Sequence, residues 1–193
     1  ELRELLMHGG EVVLAFDTNA IFGNRFLDLC DNINKLNSLW RPRRIRKLVA
    51  APVHVEKLHD LHQKKKESFD PALIMQVLGE KQIEIVSFEQ HHAEHVAGML
   101  GALYPSTQDW RGFKRQRCLA CVGLLHRADE AKAGGKRCGA TIDWLVAGHA
   151  DLEGYVLVTD DGGPEFKSVR RKAKLKSVVK VVDEVLRAAG ASP

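Results

Sequence analysis

The chain has 193 residues, 45% of them hydrophobic and 28% charged, with a formal net charge of +4. That length fills one core and is short for two, so a single domain over 1–193 is expected. No run of about 18 apolar residues occurs, which excludes a membrane-spanning helix and predicts a soluble chain.

In chain order, residues 2–7 read as a short helix stopped by Gly9-Gly10, an extension ahead of the first strand (1–10). It lacks the basic start and apolar middle of a secretion signal, and the cysteines Cys30, Cys118, Cys121 and Cys138 suit a reducing compartment, so a cytoplasmic location is expected. Val12-Val13-Leu14-Ala15-Phe16 is a continuous apolar run of the kind buried on both faces of a parallel sheet. Further strands are predicted at 83–86, 155–159 and 178–182, all short and rich in β-branched residues. Helical patterns fill 24–39, 52–66, 71–78, 91–103, 116–133 and 141–150, while 104–109 and 134–137 read as loops. Strands alternating with helices predict a three-layer α/β/α fold with a mainly parallel sheet. The basic stretch 165–176 reads as an exposed helix or a mobile loop, opening a C-terminal segment, 167–193, that holds the last strand and a helix.

Basic residues cluster at 41–47, 64–66, 111–117 and 167–176. Such clusters recruit phosphate backbones, although each alone is as well explained by a solvated helix face.

The carboxylates carry the chemistry. Asp17 directly follows the first strand, and Asp160 and Asp161 directly follow the strand ending at Thr159, so two strand ends place acids on the sheet edge where ligands bind. Asp143 lies near the start of the helix at 141–150, off a stripe of Ile142, Leu145, Val146 and His149, and Glu56 lies off the Val55, Leu58 and His62 face of the helix opened by Pro52. Converging carboxylates suit hard divalent cations that clamp a phosphodiester, although each acid alone is more readily a cap or turn residue.

The four acidic segments resemble, in order, the motifs of PIN-domain nucleases. Val13-Leu14-Ala15-Phe16-Asp17-Thr18-Asn19 resembles the opening motif, Glu56 within Val53-His54-Val55-Glu56 the second, Thr141-Ile142-Asp143-Trp144-Leu145 the third, and Thr159-Asp160-Asp161 the family's Thr-x-Asp. The resemblance spans 12–166 and, within the family, is nearest to VapC toxins. It implies a PIN-like fold and an Mg²⁺- or Mn²⁺-dependent endoribonuclease that cuts RNA. It further implies a cognate antitoxin that blocks the site and, often, a homodimer. By the same resemblance Asp17, Asp143 and Asp161 are metal ligands, and Glu56 completes the cluster and orients water. Asn19 and Thr159 give polar support, Asp160 competes with Asp161, and Thr18 and Asn19 read equally well as cap and turn residues.

Two other constellations carry less weight. Cys118, Cys121, His126 and Cys138 lack the paired spacing of a zinc site and read as buried thiols. His91, His92 and His95 place an i, i+4 pair on one face but lack the Glu of a His-Glu-x-x-His motif, and read as solvated or partly packed. The rival functions are a noncatalytic RNA-binding module, or degenerate PIN domain, and a haloacid-dehalogenase-type phosphatase. The latter needs a second Asp where Asn19 stands.

Overall fold

Val12–Phe16 forms β1, the middle of a sheet, and apart from the half-buried Val13 its residues are buried. The computed structural model describes residues 2–8, 10–21, 23–39, 44–65, 68–117 and 139–190. The cysteines 118, 121 and 138, His126, all but the first two residues of the helix expected over 116–133 and the loop 134–137 lie outside these residues.

Helix α1 (Leu2–His8) precedes β1, and a 3-10 turn (Thr18–Ala20) follows it. Next come α2 (Gly23–Leu39), β2 (Ile45–Ala50), α3 (Ala51–Lys65), α4 (Pro71–Glu80), β3 (Ile83–Val86), α5 (Gln90–Leu103) and α6 (Thr107–Arg117). The described chain ends with α7 (Gly139–Leu152), β4 (Val156–Val158), the one-turn α8 (Pro164–Lys167), β5 (Lys172–Ala173) and α9 (Leu175–Ala188). The five strands pair in parallel in the order β3-β2-β1-β4-β5. Helices α1, α2 and α9 pack together on one side, and α3, α5 and α7 on the other, giving the expected α/β/α layering. The order reverses between β1 and β4, so a crevice opens beyond their carboxyl ends.

Several expectations are corrected. The β-branched run 178–182 is helical, because Leu175, Val178, Val182, Val185 and Leu186 recur at i, i+3 and i+4 and bury as one stripe. The last strand is instead Lys172–Ala173, and the basic segment around it is anchored by buried Glu165, Phe166, Val169 and Leu175. Strand β2 lies inside a basic run: Arg46 is paired with Glu84 and Glu11, and the buried Lys47 amine donates to the Asn34 side chain and to the Cys30 carbonyl at 3.4 Å. Burial lowers the Lys47 pKa to about 8. This part of the run therefore offers little to a phosphate. The expected loop at 104–109 ends early, since α6 starts at Thr107.

On α3 the core side chain is Val53, whereas Val55 is exposed. On α7 the core side chains are Trp144, Val146, Ala147, His149 and Ala150. Gly148 is required there, because a Cβ would overlap Val96 of α5.

Candidate active site

Five carboxylates meet at the crevice, each delivered by a different local device. Asp17 leaves β1 in extended conformation and caps the 3-10 turn, with Oδ1 accepting the Thr18 N–H at 2.7 Å. Thr18 is thus the capped residue, not the cap. Asp17 Oδ2 accepts from the Thr159 hydroxyl at 2.7 Å and from the Asn19 amide at 2.9 Å. The Asn19 amide also donates to Thr159 Oγ1 at 3.2 Å, and its carbonyl oxygen accepts the Asp160 N–H at 3.0 Å. Asn19 and Thr159 therefore tie the end of β1 to the end of β4.

The β4 loop sets the two adjacent acids apart. Asp160 is exposed, whereas Asp161 is half-buried, its N–H donating to Thr159 Oγ1 at 3.0 Å and its Oδ1 accepting from Gly163 N–H at 3.0 Å. Asp161 is the one that raises the pKa values of Asp17 and Asp143. Glu56 reaches the same place from the first turns of α3, its Oε2 accepting the Thr18 hydroxyl at 2.5 Å. Asp143 projects from α7, one turn inside a helix that begins at Gly139.

Glu165 is the acid that the strand-end pattern does not reveal. It sits in the one-turn helix after Gly162-Gly163-Pro164, is fully buried, and neither carboxylate oxygen has a hydrogen-bond partner among the described residues. Its charge acts on Asp17 and Asp143. Gly163 makes room for it, because a Cβ there would collide with the Glu165 carboxylate. The available signal was Pro164 at a helix start with an acid in its first turn.

The electrostatics are unbalanced. Burial raises the Asp143 pKa to about 8, reinforced by Asp17, Glu165, Glu56 and Asp161. Burial also raises Asp17, and the Thr159 and Thr18 hydrogen bonds only partly offset it. Glu56 is raised by burial against the opposing Thr18 hydrogen bond, with Asp17 and Asp60 adding to the rise. A buried carboxylate without a partner is costly, and a hard divalent cation removes that cost. The donor set of carboxylate oxygens fits Mg²⁺ or Mn²⁺.

Among the described residues, the group whose ligand atoms all lie within 4.8 Å of one another is not the acids but His91, His92 and Glu153. There His92 Nδ1 accepts the Glu89 N–H at 2.8 Å, capping α5, which puts the ring proton on Nε2, 3.1 Å from Glu153 Oε1. The lone pair a metal would need is taken, and the trio is a hydrogen-bonded cap. Of the three α5 histidines, His91 is exposed and His95 half-buried against Asp151, while His92 is buried outright.

An apolar groove of about 270 Å³ lies beside the acids between α2, α3 and α4, lined by Phe26, Leu27, Leu61, Leu73, Val77 and Leu78.

No protein-family model matches the chain, and no curated protein matches it significantly. Among solved structures, the chain is similar to DNA-bound VapBC from Salmonella typhimurium at 17% identity, covering 85% of this chain and 98% of that one, with a TM-score of 0.44. It is also similar to VapBC2 from Rickettsia felis bound to a promoter DNA fragment, at 19% identity, covering 84% and 98%, with a TM-score of 0.47. At these values the likeness is one of general chain course and assigns no role to any residue.

Proposed function

We propose that the chain is a metal-dependent endoribonuclease that hydrolyses RNA phosphodiester bonds, acting as the toxin of a toxin–antitoxin pair. The observation that carries this reading is the meeting of Asp17, Glu56, Asp143 and Asp161, which follow one another in the order of the PIN motifs, at the crevice between β1 and β4, where acids and burial raise the pKa values of Asp17, Glu56 and Asp143. In this reading Asp17, Asp143 and Asp161 hold Mg²⁺ or Mn²⁺, and Glu165 adds a fifth carboxylate to the same charge well. When bound, the cation supplies positive charge to the phosphoryl oxygens and acidifies a water. Glu56, oriented by Thr18, accepts a proton from the attacking water. Asn19 and Thr159 hold Asp17 in place, and Asp160, which faces solvent, stays outside the reacting centre.

Two rivals fit less well. A haloacid-dehalogenase-type phosphatase needs an acid two residues after its nucleophile; Asn19 stands there, and its amide and carbonyl are both engaged. A purely binding module leaves the buried, mutually repelling acids without a purpose, because they would also repel phosphate.

The apolar groove between α2, α3 and α4 is where an antitoxin segment would seat. Leu73 and Met75 stay exposed on α4, a helix that buries none of its residues.

The test is to incubate the protein with mixed cellular RNA in Mg²⁺, in Mn²⁺ and in EDTA, beside an Asp17→Asn, Asp143→Asn double variant. Discrete metal-dependent fragments absent from the variant are expected. Cleavage that survives EDTA, or that the double variant retains, overturns the reading, and metal-independent RNA binding without cleavage favours the binding module.

A further inference from the structure

The two flanks of the acid cluster use their cations differently. On the β2–β3 flank, Arg46 is held by Glu84 and Glu11, Lys81 by both oxygens of Asp31, and Lys47 is buried under α2. On the β5 flank, segment 167–176 carries six basic residues and no acid. Three of them are anchored: Arg170 on Asp151, Arg171 on the Gly154 carbonyl and Lys172 on the Phe166 carbonyl. The other three, Lys167, Lys174 and Lys176, are exposed and make no ion pair or side-chain hydrogen bond among the described residues.

Topology puts two of these, Lys174 and Lys176, on the same sheet edge as the acids. Strands β4 and β5 are parallel with Val158 opposite Ala173, and Thr159 N–H donates to the Ala173 carbonyl at 3.0 Å. The next position in register sets Lys174 alongside Thr159, about 4.8 Å away across one strand spacing. Thr159 is the residue whose hydroxyl holds Asp17. Lys176 lies in the first turn of α9 just beyond, whereas Lys167, two residues after the buried Glu165 in α8, is on the opposite side of that helix and is exposed. Arg170 and Arg171 instead precede β5 and lie toward the opposite edge. Charges in salt act over only about 8–10 Å, so the lysines at the carboxyl edge are the ones that offset the acids' repulsion of a polyanion.

We propose that Lys174 and Lys176 form a phosphate-binding track on the β5 flank of the carboxyl edge, along which the backbone of single-stranded RNA runs into the acid cluster. This rests on the nuclease reading for its purpose, but binding tests it independently of cleavage. The lysines are positioning residues: they neutralise phosphates without reading bases, so affinity falls with salt and sequence choice is set elsewhere.

The experiment measures anisotropy of a short fluorescent single-stranded RNA with full-length Asp143→Asn protein at several salt concentrations, with and without Lys174→Glu, Lys176→Glu. A separate Arg187→Glu variant places the same kind of charge reversal in the last turn of α9, roughly 16 Å from Lys176 along the helix. The double reversal is expected to weaken binding at least tenfold and to flatten the log K against log salt slope by about 0.7 for each phosphate that the lysines no longer neutralise. Arg187→Glu is expected to leave both within about twofold. In otherwise wild-type protein, the double reversal should raise KM with little change in kcat. If Arg187→Glu weakens binding equally, or the double reversal changes neither affinity nor slope, the track is refuted. Equal competition by an acidic peptide also refutes it, in favour of a protein dock. Lysine-dependent binding in a protein that cleaves nothing would sink the nuclease reading and leave the track standing.

Discussion

Helix α7 carries ionisable groups at both ends, roughly 12 Å apart, and the two ends are electrostatic opposites. At Asp151 and Glu153, every carboxylate has a cationic or donating neighbour. Asp151 accepts from the Arg170 N–H at 3.0 Å, the Arg170 Nε at 3.1 Å and His95 at 3.2 Å. Burial alone would raise its pKa, but these bonds outweigh it and hold the carboxyl below its ordinary value. Glu153 is likewise lowered against burial by His92 and His91. At Asp143 the neighbours are four more acids, and the pKa rises to about 8. One end is internally satisfied, and its purpose is structural. At the other, burial and the neighbouring acids raise Asp143, and in the proposed reading a divalent cation completes it.

The sharpest break between the ends is mutational. Asp143→Asn or Asp161→Asn should cut metal-dependent cleavage by several kcal/mol of transition-state stabilisation, on the order of 10³-fold, while leaving the fold intact. Asp151→Asn should do the reverse, holding cleavage within about twofold while costing about 1–3 kcal/mol of stability through the lost Arg170 and His95 bonds. Cleavage rates and denaturant midpoints on both variants check this. A large cleavage loss in Asp151→Asn would join the two ends into one site.

Next in size is the response to pH and metal. A group whose folded pKa is raised stabilises the fold fully below its unfolded value and loses that contribution as pH rises through the folded one. For Asp143 that window runs from about 3.8 to about 8. His149, pushed down to about 4 by burial and by His92, works oppositely, withdrawing stability as pH falls below 6.5. The clean observable is therefore the difference in Tm between Asp143→Asn and wild type without metal. It should be positive near pH 8.5 and shrink toward zero near pH 4. Saturating Mg²⁺ should erase it by stabilising wild type alone, by about 2.7 kcal/mol at a hundred times Kd. Glu165→Gln should also raise the metal-free Tm and reduce the Mg²⁺-induced rise, because it replaces a buried carboxylate that has no partner among the described residues. A metal-free Tm difference independent of pH would remove the frustrated-cluster account.

The two ends also differ in how far they are legible in the sequence. Asp17, Asp143, Asp161 and Glu56 are legible because strand ends and helix starts put chemistry at fixed offsets from apolar runs. Glu165 is hidden because it follows a Gly-Gly-Pro turn, and only the folded loop brings it back to β1. The histidine end is opaque for a similar reason: His92 buries through pairing with Glu153, a contact between α5 and the turn after α7 that no local period encodes. In the fold, β1, β3, β4 and the helices from α2 to α5 follow their patterns. The run at 178–182 misleads because its β-branched residues suggest a strand while their 3.6-residue period specifies a helix. Strand β2 is masked because Arg46 and Lys47 look like solvent-facing charge, although Lys47 is 1% exposed.

The smallest expected effect tests whether positioning of Asp17 matters as much as its charge. Thr159→Val keeps the shape and removes one hydroxyl, which donates to Asp17 and accepts from Asn19 and the Asp161 N–H. Of the three bonds lost, the one to the Asp17 carboxylate bears on the reacting centre and is worth about 1.5 kcal/mol, which converts to roughly tenfold in kcat/KM. Tyr155→Phe is the matched deletion at the other end, removing a hydroxyl 3.4 Å from Glu153 Oε2 in an exposed setting. It should alter cleavage and stability negligibly. If the two deletions have equal effects on kcat/KM, Asp17 does not depend on being held by β4, and the tie between the two strand ends is structural only. If Thr159→Val alone slows cleavage, with its Tm almost unchanged, the crevice acts through placed oxygens and not through accumulated charge alone.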